Sequence, residues 1–226
     1  VRVPYDVYYG AQTKRAADNF RISGIRINNN FVKSYTIIKK ASAKANLKLG
    51  KLDKKREKTI SRACDELYRG KLISNFVVDV YQAGAGTSTN MNINEIIANR
   101  ANEILGGRLG EYRFIHPHDH VNMSQSTNDT FHACVHITAY GMIQDLLIEL
   151  DELEKTLKQK SKSFKRIIKV GRTHLQDAVP ITLGDEFSGY ASSIGECKKH
   201  LKTTSCYLLE LSLGGTAVGT KINAGE

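Results

Sequence analysis

Three short stretches of the chain are dense in small side chains that donate or accept hydrogen bonds. They read "GAGTSTNMNINE" (84–95), "HPHDHVNMSQSTND" (116–129) and "VGRTHLQDAVP" (170–180). A site rich in threonine, serine, asparagine and histidine suits a small ligand with several carboxylate or hydroxyl oxygens. A second interpretation stays open for each stretch, because the same residues also cap helices and form turns.

Histidines offer a further kind of chemistry. His116, His118 and His120 alternate around Asp119, and a strand would place such residues on one face, as a metal site requires. No strand pattern supports that arrangement, so we expect hydrogen-bonded histidines and no metal site. In the third stretch, Thr173 and His174 lie at a predicted turn. His174 is a candidate acid, base or orienting group. An ordinary surface turn without a catalytic role is an equally good interpretation of this stretch.

Two later segments repeat apolar residues in alternating steps of four and three, over residues 139–167 and 183–211. This heptad pattern predicts long helices packed against partners, and therefore a helical bundle shared between the subunits of a homo-oligomer. The apolar positions of each segment form what we call a heptad seam. When the first seam is extended towards the N-terminus by the same steps, it reaches His136 and His132. The seam thus becomes polar as it approaches "QSTND", where these groups need partners.

The rest of the chain is also predicted to be mainly helical. Apolar spacing and glycine stops predict helices over 31–49, 53–69 and 92–105, with a short strand in "EYRFIHP". We therefore expect an all-α fold with two parts. The first is a mainly helical N-terminal domain (1–123), and the second is the first part of a long-helix bundle (124–226).

Composition narrows the class of protein. The 226 residues are 41% hydrophobic and 25% charged, and the net charge is +10. The basic residues are mixed with acidic ones in helix-like stretches such as "KLDKKREK", which favours a solvated surface over a nucleic-acid patch. A basic helical scaffold or nucleic-acid-binding protein stays the alternative of a different class. Four cysteines without a C-x-x-C pair predict a cytoplasmic protein, and no apolar run predicts a membrane span.

The chain resembles the aspartase/fumarase superfamily along nearly its whole length. The resemblance rests on "VPYDVYYGAQTKRAADNFRIS", "GAGTSTNMNINEIIANRA", "HVNMSQSTND", "GRTHLQDAVPITLG" and "LGGTAVGTKIN", in this order. It implies a homotetramer in which loops of three chains form each active site around a central bundle. It also implies an anti elimination that forms a fumarate unit through an enediolate-like carbanion, without an organic cofactor.

The resemblance assigns one substrate carboxylate to three hydroxyl groups. Thr87 of "GTS" and Ser126 and Thr127 of "QSTND" look like its donors, while Asn128 looks like a contact on the side of the leaving group. Donors aimed at a carboxylate stabilise the negative charge that grows there in the transition state.

Two further groups of residues follow from the same resemblance. Thr173 looks like a contact of the other carboxylate, and His174 would orient or protonate near the leaving group. "HPHD" resembles the stretch where fumarases carry a second, non-catalytic anion site, which implies His116, His118 and Asp119 for that site. The expected partners are a small dicarboxylate substrate and further copies of the chain, without nucleic acid or membrane.

Within the superfamily, the motifs divide between two branches. "AGTS", "GEY" and "DHVN" are more like aspartate ammonia-lyases, whereas "GRTHLQDA" and "LGGTAVGT" resemble fumarases. The balance favours a carbon–nitrogen lyase that releases ammonia from L-aspartate, and class II fumarate hydratase is the alternative. Argininosuccinate and adenylosuccinate lyases diverge in the "GTS" and "HVN" segments.

The chain also departs from the family pattern. The loop "GSSxMPxKxN", which supplies the serine base, does not occur in it. The resemblance therefore implies the N-terminal portion of a longer enzyme, inactive by itself. Lys221 replaces a usual glycine in "GTGIN", and His132 stands where proline is expected, which puts the start of the first long helix in doubt.

Overall fold

The computed structural model describes residues 1–224 and separates them into two compact units. The first unit contains residues 1–138 and the segment from Leu211 onwards, and the second contains Ala139–Glu210. In chain order the elements are α1 (Ala11–Asn19), α2 (Asn29–Lys48), α3 (Lys54–Tyr68), α4 (Thr87–Ile104), α5 (Thr127–Ser163), β1 (Ile168–Thr173), β2 (Gln176–Thr182) and α6 (Leu183–Ser205). The predicted all-α fold class is confirmed, and the division at 123/124 stays a prediction.

Helix α4 begins five residues earlier than the sequence indicated. Gly86 adopts a left-handed conformation (φ 88°) as the N-cap, so the helix starts at Thr87 and not at Asn92. Glycine adopts this conformation at little cost. The "TSTN" stretch, predicted as a loop, is therefore the first turn of a helix.

No strand forms in "EYRFIHP", which contradicts that prediction for a part of the chain that is fully described. The side chain of Asn102 provides the physical reason. Its Oδ1 accepts from the backbone N–H of Phe114 at 2.8 Å, and its Nδ2 donates to the carbonyl of Ile115 at 2.6 Å. Because a side chain already satisfies these backbone groups, the segment needs no strand partner.

The core of the first unit lies between α2, α3 and α4 and extends to the start of α5. Tyr35, Ile60, Leu67, Ile93 and Ile97 are completely buried there. Burying such side chains contributes about 1.5–3 kcal/mol each. Helix α4 is buried along almost its whole length and is the centre of this unit.

Glu95 of α4 holds the N-terminal arm against this core. The carboxylate is 2% exposed and accepts hydrogen bonds from the backbone N–H groups of Gly10, Gln12 and Thr13 and from the Thr13 hydroxyl. These N–H groups belong to the first turn of α1, where a helix has no partners of its own. A carboxylate also suits the positive end of the helix dipole.

The second unit contains the part of α5 from Ala139 onwards, a β-hairpin and α6. The strands pair antiparallel with Thr173 opposite Gln176, so His174 and Leu175 form a two-residue turn. Phe164 and Phe187 pack with ring centroids 5.2 Å apart, and Lys198 of α6 pairs with Glu154 of α5 at 2.7 Å. The hairpin, which we did not predict, replaces the expected turn.

Both long helices are confirmed, but they end earlier than the heptad pattern. Helix α5 has 37 residues and ends at Ser163, and α6 ends at Ser205. The β-hairpin follows α5 directly. The last apolar positions of both heptad patterns therefore lie beyond the C-terminal ends of α5 and α6. Leu146 and Leu153 of the first seam are 45% and 43% exposed in the single chain. Within residues 1–224, none of the helices combines the length and apolar character that a membrane span needs.

Candidate functional site

A cavity of about 1060 Å³ in the first unit brings several of the predicted residues together. It contains Thr87, Ser126 and Thr127 from the proposed carboxylate group, and His118 and Asp119 from the proposed second anion site. Gln12, Lys51, Asn90, Asn122 and Gln125 also line it, with residues 216–218, 220, 222 and 223 of the C-terminal segment.

Two helices begin at this cavity. Thr87 is the first residue of α4 and Thr127 the first residue of α5. The N-terminus of a helix carries a partial positive charge and N–H groups without intrahelical partners, which together attract anions. Gly86 allows this arrangement, because a Cβ there would lie 2.1 Å from the ring of Phe131 on α5. The two helix starts thus approach as closely as a glycine permits.

Ser126 and Asp129 cap α5 reciprocally. The Asp129 carboxylate accepts from the Ser126 N–H at 3.0 Å, and the Ser126 hydroxyl oxygen accepts from the Asn128 N–H at 3.2 Å. Since the Ser126 oxygen acts as an acceptor here, its hydrogen is available for donation. Capping and ligand binding are therefore compatible in "QSTND". The other Asp129 oxygen accepts from the N–H of Thr216 at 2.9 Å.

Asn128 is placed differently from its neighbours. Its side chain is exposed and donates to the carbonyl of Ala217 at 2.8 Å. It does not line the cavity in the part of the chain that is described. Its predicted contact on the side of the leaving group stays a prediction.

A buried lysine beneath the cavity was missed by sequence reasoning. Lys39 of α2 is 0% exposed, and its Nζ lies 2.6 Å from Asn90 Oδ1, 3.0 Å from Asn122 Oδ1 and 3.0 Å from Gln125 Oε1. Burial lowers the pKa of the Lys39 ammonium to about 7, and the Asp129 carboxylate acts in the opposite direction.

A signal for this burial existed in the sequence. Val32, Tyr35, Lys39 and Ala43 follow the spacing of one helical face, and the other three residues are apolar. A lysine on such a stripe is buried or reaches out of it. We did not single out this stripe in the sequence. Lys40, the next residue, pairs with Asp65 near the surface.

The histidines of "HPHDH" lie on one π-helical turn, Pro117–Val121, and its N-cap. His120 Nδ1 accepts from the N–H of His116 at 2.8 Å, and burial lowers the pKa of His120. His116 Nδ1 lies 3.1 Å from an Asp119 carboxylate oxygen. His118 and Asp119 face the cavity, whereas His116 is not among its lining residues. Within residues 1–224, no three histidine, cysteine or acidic side chains are grouped as a metal ion requires.

Thr173 and His174 belong to the second unit, where both are exposed. His174 (φ 49°) and Leu175 (φ 65°) both have left-handed backbones. A two-residue hairpin turn favours this conformation, but asparagine and glycine are its usual occupants. Left-handed non-glycine residues cost about 1–2 kcal/mol each. Such strain is often found at functional positions.

The two departures from the family pattern have structural counterparts. Helix α5 continues through His132 without interruption, and the rings of His132 and His136 lie in contact, with centroids 4.3 Å apart and planes tilted by 49°. The start of α5 is therefore intact. Lys221 has a φ of 61°, which explains why a glycine is usual at this position.

Known proteins resemble the chain in both sequence and fold. A family model described as "Lyase" matches residues 1–226. The chain is 50% identical over 225 residues to fumarate hydratase class II 2 of Bradyrhizobium diazoefficiens, covering 99% of this chain and 48% of that protein. It is 49% identical to fumarate hydratase class II of Nitrosomonas europaea, again covering 99% of the chain and 48% of the relative.

Solved structures agree with these relatives. A class II fumarase from Schistosoma mansoni has a TM-score of 0.93 at 39% identity, over 100% of this chain and 48% of that one. A fumarate lyase:delta crystallin from Brucella melitensis, bound to cobalt, has a TM-score of 0.92 at 45% identity, over 99% and 49%. The chain spans about half the length of the curated relatives it matches. Motifs, fold and relatives agree, and the chain belongs to the lyase family of the aspartase/fumarase superfamily.

Proposed function

We propose that the full-length protein is a class II fumarate hydratase, which interconverts malate with fumarate and water. The relatives compared above are named fumarate hydratases and are about 50% identical to the chain. This supports the fumarase branch over aspartate ammonia-lyase, which the "AGTS", "GEY" and "DHVN" motifs had favoured. Those short motifs covered few positions, whereas the identity extends over 99% of the chain.

The observation that carries the proposal is the meeting of two helix N-termini at one cavity. Thr87 and Thr127, the first residues of α4 and α5, both line it, and Ser126 adds a third hydroxyl. A substrate carboxylate in this position accepts hydrogen bonds from side chains at the positive ends of two helices.

The chemistry then follows from where charge develops. Loss of a proton from the carbon next to this carboxylate places negative charge on the carboxylate oxygens, and the hydroxyl donors stabilise that charge. Hydroxide leaves from the neighbouring carbon and takes up a proton, giving fumarate and water. No "GSSxMPxKxN" motif occurs in residues 1–226, so we assign the base to none of these residues. Thr173 and His174 would act at the other carboxylate and near the leaving group.

Assays on the full-length protein test this proposal. Fumarate formation, followed by absorbance, is expected from malate and not from aspartate. Thr127→Val and Ser126→Ala should each lower kcat/KM by about 10²–10³-fold, the loss typical of a single oxyanion donor. Thr156→Val, at an exposed position of the same helix, is the matched control and should retain activity. Turnover of aspartate alone would refute the fumarase assignment, and full activity of Thr127→Val would refute the site.

The cavity also supports the second anion site, because His118 and Asp119 line it. A protonated His118 would attract an anion there, whereas the Asp119 carboxylate opposes one. In the full-length protein, His118→Ala should weaken inhibition by excess dicarboxylate and leave kcat unchanged.

We also propose a cytoplasmic homotetramer. Met142, Leu146, Ile148 and Leu153 of α5 are 43–63% exposed in the single chain, and a bundle of several copies would cover them. Light scattering on the full-length protein should give the mass of four chains.

A further inference from the structure

The buried ammonium of Lys39 fixes the orientation of three amide side chains. A lysine ammonium has three donors and no acceptor. Asn90, Asn122 and Gln125 must therefore turn their oxygens towards Lys39 Nζ, at 2.6, 3.0 and 3.0 Å. Their NH₂ groups consequently point elsewhere. While Lys39 is protonated, no exchange of oxygen and nitrogen is tolerated at these positions, because it would place N–H groups against the ammonium.

The NH₂ group of Asn90 reaches the candidate site. Asn90 Nδ2 donates to Thr127 Oγ1 at 3.1 Å, while its Oδ1 accepts from Lys39 and from the Tyr35 hydroxyl. The Thr127 oxygen is thereby used as an acceptor. A hydroxyl has one hydrogen, and that of Thr127 cannot point towards an N–H group. It must be donated in another direction, and Thr127 lines the cavity.

The other two amides fix the loop that leads into α5. Gln125 Nε2 donates to the carbonyls of Val121 and Met123 at 2.9 and 3.2 Å. Asn122 Nδ2 donates to the carbonyl of Gln125 at 3.2 Å. The ammonium thus holds residues 121–125 in the conformation that presents Ser126 and Thr127. Hydrogen-bonded side-chain networks of this kind hold contacting groups in a defined orientation.

We propose that Lys39 is a positioning residue: acting through Asn90, it fixes the Thr127 hydroxyl as a hydrogen-bond donor to the bound carboxylate. This proposal rests on the proposed function, since it assumes that Thr127 binds the substrate carboxylate. Lys39 itself does not line the cavity, so its role is to position Thr127.

The hydrogen bonds that lead from Lys39 through Asn90 to Thr127 form a relay. Two variants of the full-length protein interrupt this relay at different points. Lys39→Met removes the ammonium at similar side-chain length. Asn90→Asp keeps the shape and still pairs with the ammonium, so the fold should be retained, but its carboxylate accepts from Thr127 and turns that hydroxyl away from the substrate. Each should lower kcat/KM by roughly 10–100-fold, similar to the loss of an outer-shell partner of a metal ligand.

The decisive measurement is a pair of double-mutant cycles with Thr127→Val. If the relay acts through the Thr127 hydroxyl, Lys39→Met and Asn90→Asp should cost less than about threefold in kcat/KM once that hydroxyl is absent. A purely structural role, or repulsion of the substrate by the new carboxylate, gives losses that multiply in both cycles. Lys40→Met is the matched control, because Lys40 is adjacent on α2 but pairs with Asp65 near the surface.

Every outcome decides the proposal. Multiplying losses overturn the relay while Thr127→Val alone still shows the site. Full activity of Thr127→Val overturns the relay together with the proposed site, so the two failures are distinguishable. Should Lys39→Met fail to fold, Asn90→Asp carries the test, and unchanged kcat/KM in that variant overturns the proposal.

Discussion

The buried ammonium of Lys39 should make the protein more stable as the pH rises above neutrality. The titratable groups around it come from three helices: Tyr35 from α2, Cys64 from α3, and Asp129 and Cys134 from α5. Burial raises the pKa of both thiols to about 12 and raises the pKa of Tyr35 as well. Between pH 7 and 10 the two thiols and the Tyr35 phenol therefore stay neutral.

The magnitude follows from proton linkage. The pKa of Lys39 falls from its ordinary value of 10.5 in the unfolded chain to about 7 in the folded one. Between these values the unfolded state binds more protons, so the free energy of unfolding rises with pH. Below about pH 7 both states carry the charge and the full cost of burying it is present. From pH 6 to pH 10 this one group should add about 4 kcal/mol, at about 1.4 kcal/mol per pKa unit.

Urea unfolding of the full-length protein and its Lys39→Met variant, followed by circular dichroism at several pH values, measures this effect. Other lysines and tyrosines titrate in both proteins, so the difference between the two free energies of unfolding isolates Lys39. That difference should change by about 4 kcal/mol over the range. A flat difference would refute the reasoning, because it would mean that three amide oxygens and Asp129 keep the pKa of the ammonium at its ordinary value despite burial.

Three further changes should affect stability in predictable directions, each measured by denaturant unfolding of the full-length protein. Glu95→Gln should cost about 2–4 kcal/mol, since an amide leaves one of the N–H groups at the start of α1 opposite an NH₂ group; an unchanged midpoint would contradict this. Leu175→Gly should stabilise by about 1 kcal/mol, because it relieves a left-handed leucine that is 91% exposed and loses little packing. Lys221→Gly should stabilise by a similar amount for the same reason, and a loss at either position would show that the side chain makes contacts that outweigh the strain.

Structural features that depend on one segment of the chain alone could be predicted from the sequence. The helices α2 and α3 begin and end within two residues of the predicted positions, because apolar spacing and glycine stops are local features. The hairpin was missed because "HL" at its turn lacks the asparagine–glycine signal that marks such turns. The left-handed residues there are held by surrounding structure and not by their own preference.

Structural features that depend on a residue far away in the sequence could not be predicted from the sequence. Nothing in "IIKKAS" indicates that Lys39 meets an asparagine 51 positions away while Lys40 meets an aspartate 25 positions away. The start of α4 at Thr87 likewise depends on Gly86. Only glycine fits at this position, because the ring of Phe131 leaves no space for a Cβ atom. In both cases tertiary contacts decided between alternatives that local propensity left open.

The distribution of polar and apolar surface connects the fold to the proposed assembly. In the first unit, Lys39, Glu95 and the α4 residues Asn90 and Asn102 have buried polar side chains with hydrogen-bond partners inside the unit, whereas the buried Oδ1 of Asn94 has none among the described residues. The second unit exposes Leu146 and Leu153, which follow a heptad pattern too regular for a solvated surface. The exposed apolar heptad positions of the second unit make this chain suited to association through its long helices.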